Sequence, residues 1–141
     1  MVRLQEETIR AEALVEEVRG DEDGAVALFL GTVRNHNAGR KVLYLEYLAY
    51  PGMAEAEMTR IEKTTIERFG VSGVAIVHRT GRLEIGETSV GVAVSSHHRG
   101  QAVDACRFVI DTLKKTVPVW KKEFFEGGAV WIEGAGTRPS R

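Results

Sequence analysis

Apolar residues recur along the chain in two periods, and the points where the period changes divide it into elements. Over residues 8–18, Ile9, Ala13, Leu14 and Val18 fall at helical spacing until Gly20-Asp21 stops the pattern, which predicts a short amphipathic helix. Residues 25–33, AVALFLGTV, form a nearly continuous apolar run and predict a strand buried on both faces. A polar loop follows at 34–41, with turn formers and four groups able to carry positive charge, before 42–50 resumes a β-rich pattern. Pro51-Gly52 opens a second helix, whose apolar positions Met53, Ala56, Ile61, Ile66 and Phe69 lie near one face and which Gly70 ends. Residues 74–78 and 88–94 predict two more strands, separated by a turn region around Gly81 and Gly86. After Ser95-Ser96 a third helix carries Ala102, Cys106, Val109 and Leu113 as an apolar seam. Pro118 interrupts that helical pattern, and 130–132 predicts a last short strand.

Helices thus fall between strand pairs rather than after every strand. That order predicts an α+β fold, a largely antiparallel sheet packed with about three helices, because an all-parallel sheet needs a crossover helix between most strands. At 141 residues, with no internal repeat or interdomain linker, the whole chain 1–141 reads as a single domain.

Composition narrows the chemistry. Hydrophobic residues at 43% and charged residues at 28% are those of an ordinary globular protein. A net charge of -1 gives no global basic field, so no nucleic-acid partner is expected and any anion site must be local. One cysteine, Cys106, supports neither an internal disulfide nor a Cys-rich zinc site. The polar, acidic start of the chain lacks the apolar segment of a signal peptide, and no apolar run reaches membrane-spanning length. A cytoplasmic protein with no metal and no membrane partner is the expectation.

Three groups of residues stand out against that background. His98-Arg99 follow a strand and open a helix, where free backbone N–H groups favour an anion and a guanidinium adds a planar fork for phosphate or carboxylate. A capping histidine beside a solvated arginine fits the same pattern. Lys114, Lys115, Lys121 and Lys122 surround Pro118. Lysines at a helix C-terminus are often only dipole partners, but Val117, Val119 and Trp120 give these an apolar setting that can favour a neutral, reactive amine. Arg34 and His36 leave the strand in a loop, where functional groups and solvated turns are both common. Cys106 sits in the apolar seam without a basic neighbour on its face, which describes a core thiol better than a sulfur-carrying nucleophile. A P-loop and an H-E-x-x-H pair are both absent, which disfavours ATP hydrolysis and zinc proteolysis.

Five strings occur in order: GTVRNHN at 31–37, YPGM at 50–53, VHRTG at 77–81, HR at 98–99 and LKKTVPVWK at 113–121. Together they resemble the large, catalytic subunit of molybdopterin synthase. The resemblance implies a sulfurtransferase of molybdenum cofactor biosynthesis that inserts two sulfur atoms into cyclic pyranopterin monophosphate to give molybdopterin. It implies a partner, a small ubiquitin-like sulfur-carrier subunit with a C-terminal Gly-Gly thiocarboxylate, in a heterotetramer built on a homodimer of large subunits. No resident cofactor is implied. Carried over by motif, Lys114 and Lys121 are catalytic, and Arg34, His98 and Arg99 bind the substrate with Thr32 and Val33. Lys122 and Glu123 line the substrate site, and Phe29 and Ile110 form its apolar wall. The alternative is a noncatalytic anion- or nucleotide-binding regulatory module using the same cations.

Arg99 and Lys114 stand fifteen positions apart, which on an unbroken helix separates their backbones by roughly 22 Å. One small pterin does not readily span that distance. An isologous dimer that brings one subunit's His98-Arg99 to the other's lysines is therefore expected.

Overall fold

The computed structural model describes residues 1–132; the tail positions Arg138 and Arg141 lie outside the described residues. Its elements run β1 (Val2–Gln5), α1 (Ala11–Val18), β2 (Ala25–Thr32), β3 (His36–Asn37), β4 (Arg40–Ala49), α2 (Met53–Phe69), β5 (Gly73–Arg79), β6 (Gly81–Glu84), β7 (Thr88–Ser96), α3 (Arg99–Thr116), β8 (Val119–Phe125) and β9 (Gly128–Ile132). The α+β reading holds, with two sheets in place of one. The first has the order β1-β5-β7-β2, antiparallel except for the parallel β1–β5 pair. The second is antiparallel, in the order β3-β4-β8-β9 with β6 on β4.

Alternation along β5 and β7 splits the first sheet's side chains between two cores. Val74, Ile76, Val90, Val92 and Val94 meet Met58 and Ile61 of α2 and Ala105, Cys106, Val109 and Leu113 of α3. Ala75, Val77 and Ala93 face the other way, against Ile9, Leu14 and Val18. Here α1 lies so close to β7 that a Cβ on Gly91 would stand 2.5 Å from Leu14 Cδ1. The predicted seam of α3 is the buried one. That of α2 is rotated: Ala54, Met58, Ile61 and Thr65 are buried, whereas Met53 and Ile66 are exposed. Thr65 serves in an apolar row because its hydroxyl donates to the Ile61 carbonyl at 2.6 Å.

Four strands are not among those the sequence predicts, β1, β3, β6 and β8. Strand β8 matters most, because it carries Lys121 and Glu123. The polar loop at 34–41 also contains structure: Ala38 and Gly39, with φ of 50° and 76°, make the tight turn of the β3–β4 hairpin. Strand β2 corrects the expectation of two buried faces. It is the edge of its sheet, and Val26, Leu28 and Leu30 are 38%, 40% and 36% exposed. Among the described residues no helix is long and apolar enough to cross a membrane.

Candidate active site

The two sheets meet at the C-terminal end of α3, and the seam between them is a cleft. Helix α3 ends where Val117 leaves helical geometry and Pro118 follows, and the chain turns directly into β8. The turn brings Lys114, on the last helical turn, beside Lys121. Thr32, Val33 and Arg34 enter from the end of β2, Tyr47 from β4, His78 from β5, and Ser89 and Val90 from β7. The cleft has two adjoining lobes of about 190 and 120 Å3, both bounded by Tyr47, Ser89, Val90, Lys114 and Lys121. A hollow of about 220 Å3 between β1 and α1 lies on the opposite face of the first sheet, away from the residues singled out above.

The two lysines differ in their surroundings. Lys121 Nζ lies 3.6 Å from Glu123 Oε2, its neighbour two residues along β8 and therefore on the same face. Glu123 is only 3% exposed, and Asn37 Nδ2 donates to both its carboxylate oxygens, at 2.9 and 3.0 Å. The β3–β4 hairpin thus ties its tip to the floor of the cleft. Lys114 reaches solvent at the mouth and forms no ion pair among the described residues. Partial desolvation by the cleft walls, with the charge of Lys121 beside it, holds its pKa below the ordinary lysine value.

Two uncharged groups complete the floor. His78 is buried, and Nδ1 lies 2.7 Å from the Arg79 carbonyl oxygen, which can only accept; Nδ1 therefore carries the proton. Burial first, and the charge of Lys114 second, push its pKa down to about 4, so the ring is neutral at pH 7. Tyr47 packs edge-on against His78 with ring centroids 5.0 Å apart and shares a hydrogen bond with Ser89, whose Oγ donates to the Gly31 carbonyl at 3.2 Å. Burial raises the Tyr47 pKa, so the phenol keeps its proton.

Of the residues named from sequence, Thr32, Val33, Arg34, Lys114, Lys121 and Glu123 converge here. Lys122 alternates to the opposite face of β8, where Nζ lies 5.1 Å from the Phe124 ring centre and 5.4 Å from that of Trp131. Phe29 and Ile110 pack in the core under α3. His98 and Arg99 are exposed at the far end of α3; His98 is the N-cap residue, but its side chain makes no capping hydrogen bond. Tyr47, His78, Ser89 and Asn37 were not singled out, although VHRTG and GTVRNHN contain two of them.

Residues 4–116 match the family model described as MoaE protein. The chain is 44% identical over 128 residues to the molybdopterin synthase catalytic subunit of Pyrococcus abyssi, covering 91% of this chain and 86% of that protein. The chain belongs to the molybdopterin synthase catalytic subunit family. The crystal structure of molybdopterin synthase from Staphylococcus aureus superposes with a TM-score of 0.89 at 39% identity, covering 92% of this chain and 95% of that one. The same fold, at 19% identity and a TM-score of 0.76, occurs in a complex of subunits 1 and 2 of the molybdopterin-converting factor of Helicobacter pylori, with 92% of this chain and 88% of that one covered.

Proposed function

We propose that this member of the family transfers two sulfur atoms, one from each of two thiocarboxylated C-termini of a small ubiquitin-like subunit that leave as carboxylates, to cyclic pyranopterin monophosphate, giving molybdopterin. The observation that carries the reading is the lysine pair. Lys121 is paired with Glu123, while Lys114, with no carboxylate partner among the described residues and a depressed pKa, more readily supplies a neutral amine. Lys114 then acts on the thiocarboxylate or the substrate carbon, and Lys121 offsets the negative charge that develops as each sulfur moves. Arg34, at the rim, supplies a fork for the substrate's anionic group. The Helicobacter pylori complex supports a two-subunit assembly. Cys106 makes a poor sulfur carrier, since burial pushes its pKa up to about 11 and its Sγ faces the Val92 carbonyl. The lone buried thiol fits a cytoplasmic setting.

Strand β2 supports a homodimer within a heterotetramer. Its eight residues AVALFLGT contain no charge and no proline, yet they form a sheet edge, a combination that folded proteins cover. Ala25 pairs with Ser96, two residues before His98, while Thr32 borders the cleft. Antiparallel pairing of β2 with its copy sets residue 25 of one strand near residue 32 of the other. The partner's His98-Arg99 end then approaches the lysine cleft across a strand about 27 Å long, comparable to the roughly 22 Å that separates Arg99 and Lys114 within one chain.

Purified chain, thiocarboxylated small subunit and cyclic pyranopterin monophosphate should yield molybdopterin without ATP, and Lys114→Ala should abolish the yield while leaving the protein folded. Substrate binding without sulfur incorporation would favour a noncatalytic anion-binding module. Mixed Arg99→Ala and Lys114→Ala chains should recover part of the activity in hybrid dimers. No recovery despite confirmed subunit exchange would exclude the shared site.

A further inference from the structure

His78 interrupts an apolar row. Along β5 the side chains facing α2 and α3 are Val74, Ile76 and then His78, and the strand beside them presents Val90, Val92 and Val94 to the same core. A valine or leucine would fill the third place at less cost than an imidazole, which loses its water there. The ring is fixed in one tautomer by its Nδ1–H bond to the Arg79 carbonyl and held from the side by Tyr47. What this arrangement leaves uncommitted is the lone pair of Nε2, and His78 lines the same lobe of the cleft as Lys114.

We propose that His78 is a positioning residue for Lys114: Nε2 of its neutral ring accepts a hydrogen bond from Nζ and orients the amine toward the reacting centre. The proposal rests on the sulfur-transfer reading for its kinetic consequence, but not for the contact. The charged and titratable neighbours bear it out by elimination. From α3 the cleft receives Lys114 itself; from the end of β2 comes Arg34, a donor only; from β8 come Lys121 and Glu123, which are paired with each other; from β4 comes Tyr47, whose hydroxyl is paired with Ser89. A charged acceptor in place of His78 would lock Lys114 as an ammonium. A neutral acceptor directs the amine while leaving its proton removable.

The test uses His78→Leu, which keeps the bulk and removes both nitrogens, and His78→Gln, which retains an acceptor at about the reach of Nε2. The first readout is independent of activity. Limiting acetic anhydride is applied from about pH 6 to about pH 11, and acetylation of Lys114 is followed by mass spectrometry. An acceptor favours the protonated amine, so His78→Leu should lower the labelling midpoint of Lys114 by about one pH unit, and His78→Gln by less than half of that. With saturating thiocarboxylated partner and pterin, His78→Leu should lower kcat roughly tenfold, the size of one lost hydrogen bond, with little change in KM. His78→Gln should restore most of the rate, and the pH–rate limb should move with the labelling midpoint. An unchanged midpoint in His78→Leu overturns the proposal. A shifted midpoint with unchanged sulfur transfer leaves the contact but overturns the positioning role, while the catalytic role of Lys114 stands or falls separately with Lys114→Ala. Should His78→Leu fail to fold, His78→Asn, which keeps the bond to Arg79 but falls short of Lys114, must reproduce the labelling shift that His78→Gln lacks.

Discussion

Replacing Glu123 with glutamine tests whether the cleft is held together from beneath. The carboxylate is 3% exposed, receives both Asn37 hydrogen bonds and lies 3.6 Å from Lys121, whose side chain is 32% exposed. An amide of the same shape keeps one acceptor for Asn37, turns the second contact into donor against donor, and leaves Lys121 without its counter-charge. Breaking a fully buried pair costs about 3–5 kcal/mol, and a surface pair is worth about 0–1 kcal/mol. With one partner buried and the other partly wet, the loss should fall between them, at about 1–2 kcal/mol including the lost hydrogen bond. For a chain of this length that lowers Tm by roughly 5 °C. Urea denaturation should show a lower midpoint at unchanged slope, and limited proteolysis should open the hairpin at Ala38-Gly39, since Asn37 no longer ties it down. Asn37→Ala in the same background should add much less than it costs alone, because both variants break one network. Full additivity, or an unchanged midpoint with a protected hairpin, would refute the idea that Glu123 couples the hairpin to the lysine site.

Acid should weaken the fold through His78. The native ring has a pKa of about 4 against the ordinary 6.5, so the unfolded chain binds the extra proton between those values: stability is unaffected above about pH 6.5 and declines as pH falls toward 4, by on the order of 3 kcal/mol. His78→Leu should remove that slope in urea titrations repeated across pH. Leu28→Lys should abolish pairing along β2, giving a folded monomer in analytical ultracentrifugation together with a loss of sulfur transfer; a dimer that persists would place the interface elsewhere. Cys106→Ala should retain sulfur transfer and cost about 1–2 kcal/mol from the small cavity left beside Val92, whereas complete inactivation of a folded protein would revive a thiol carrier.

The residues that the sequence made legible are those whose role follows from local spacing. The seam of α3 came out correctly because four, three and four residues separate Ala102, Cys106, Val109 and Leu113, a pattern that a helix alone satisfies. Strand β8 did not, because VWKKEFF has no clean alternation: Trp120 and Glu123 are buried three residues apart, and the lysines between them read as the charged end of a helix. Glu123 stands in for an apolar residue only because Asn37, eighty-six positions away, satisfies it. No local pattern announces such a partner. His78 and Tyr47 were passed over for the same reason, since one lies in a strand of valines and the other in a strand of tyrosines and leucines, and only the meeting of the two sheets turns them toward the lysines.

The error over β2 is of another kind. Its composition predicts burial on both faces, and the lone chain instead leaves Val26, Leu28 and Leu30 exposed along a free edge. An apolar strand left at the surface is the kind of patch that a partner covers, which is the basis of the proposed dimer. The proposed active site leads to the same conclusion from unrelated residues, because His98-Arg99 at the start of α3 and the lysines near its end lie too far apart to serve one small substrate within a single chain. In the proposed dimer, one two-fold axis through the middle of β2 would answer both demands, covering the apolar edge and closing the distance between Arg99 and Lys114. On that argument Leu28→Lys should also weaken substrate binding, although Leu28 touches no substrate, and restoring the dimer by a covalent cross-link at β2 should restore the affinity.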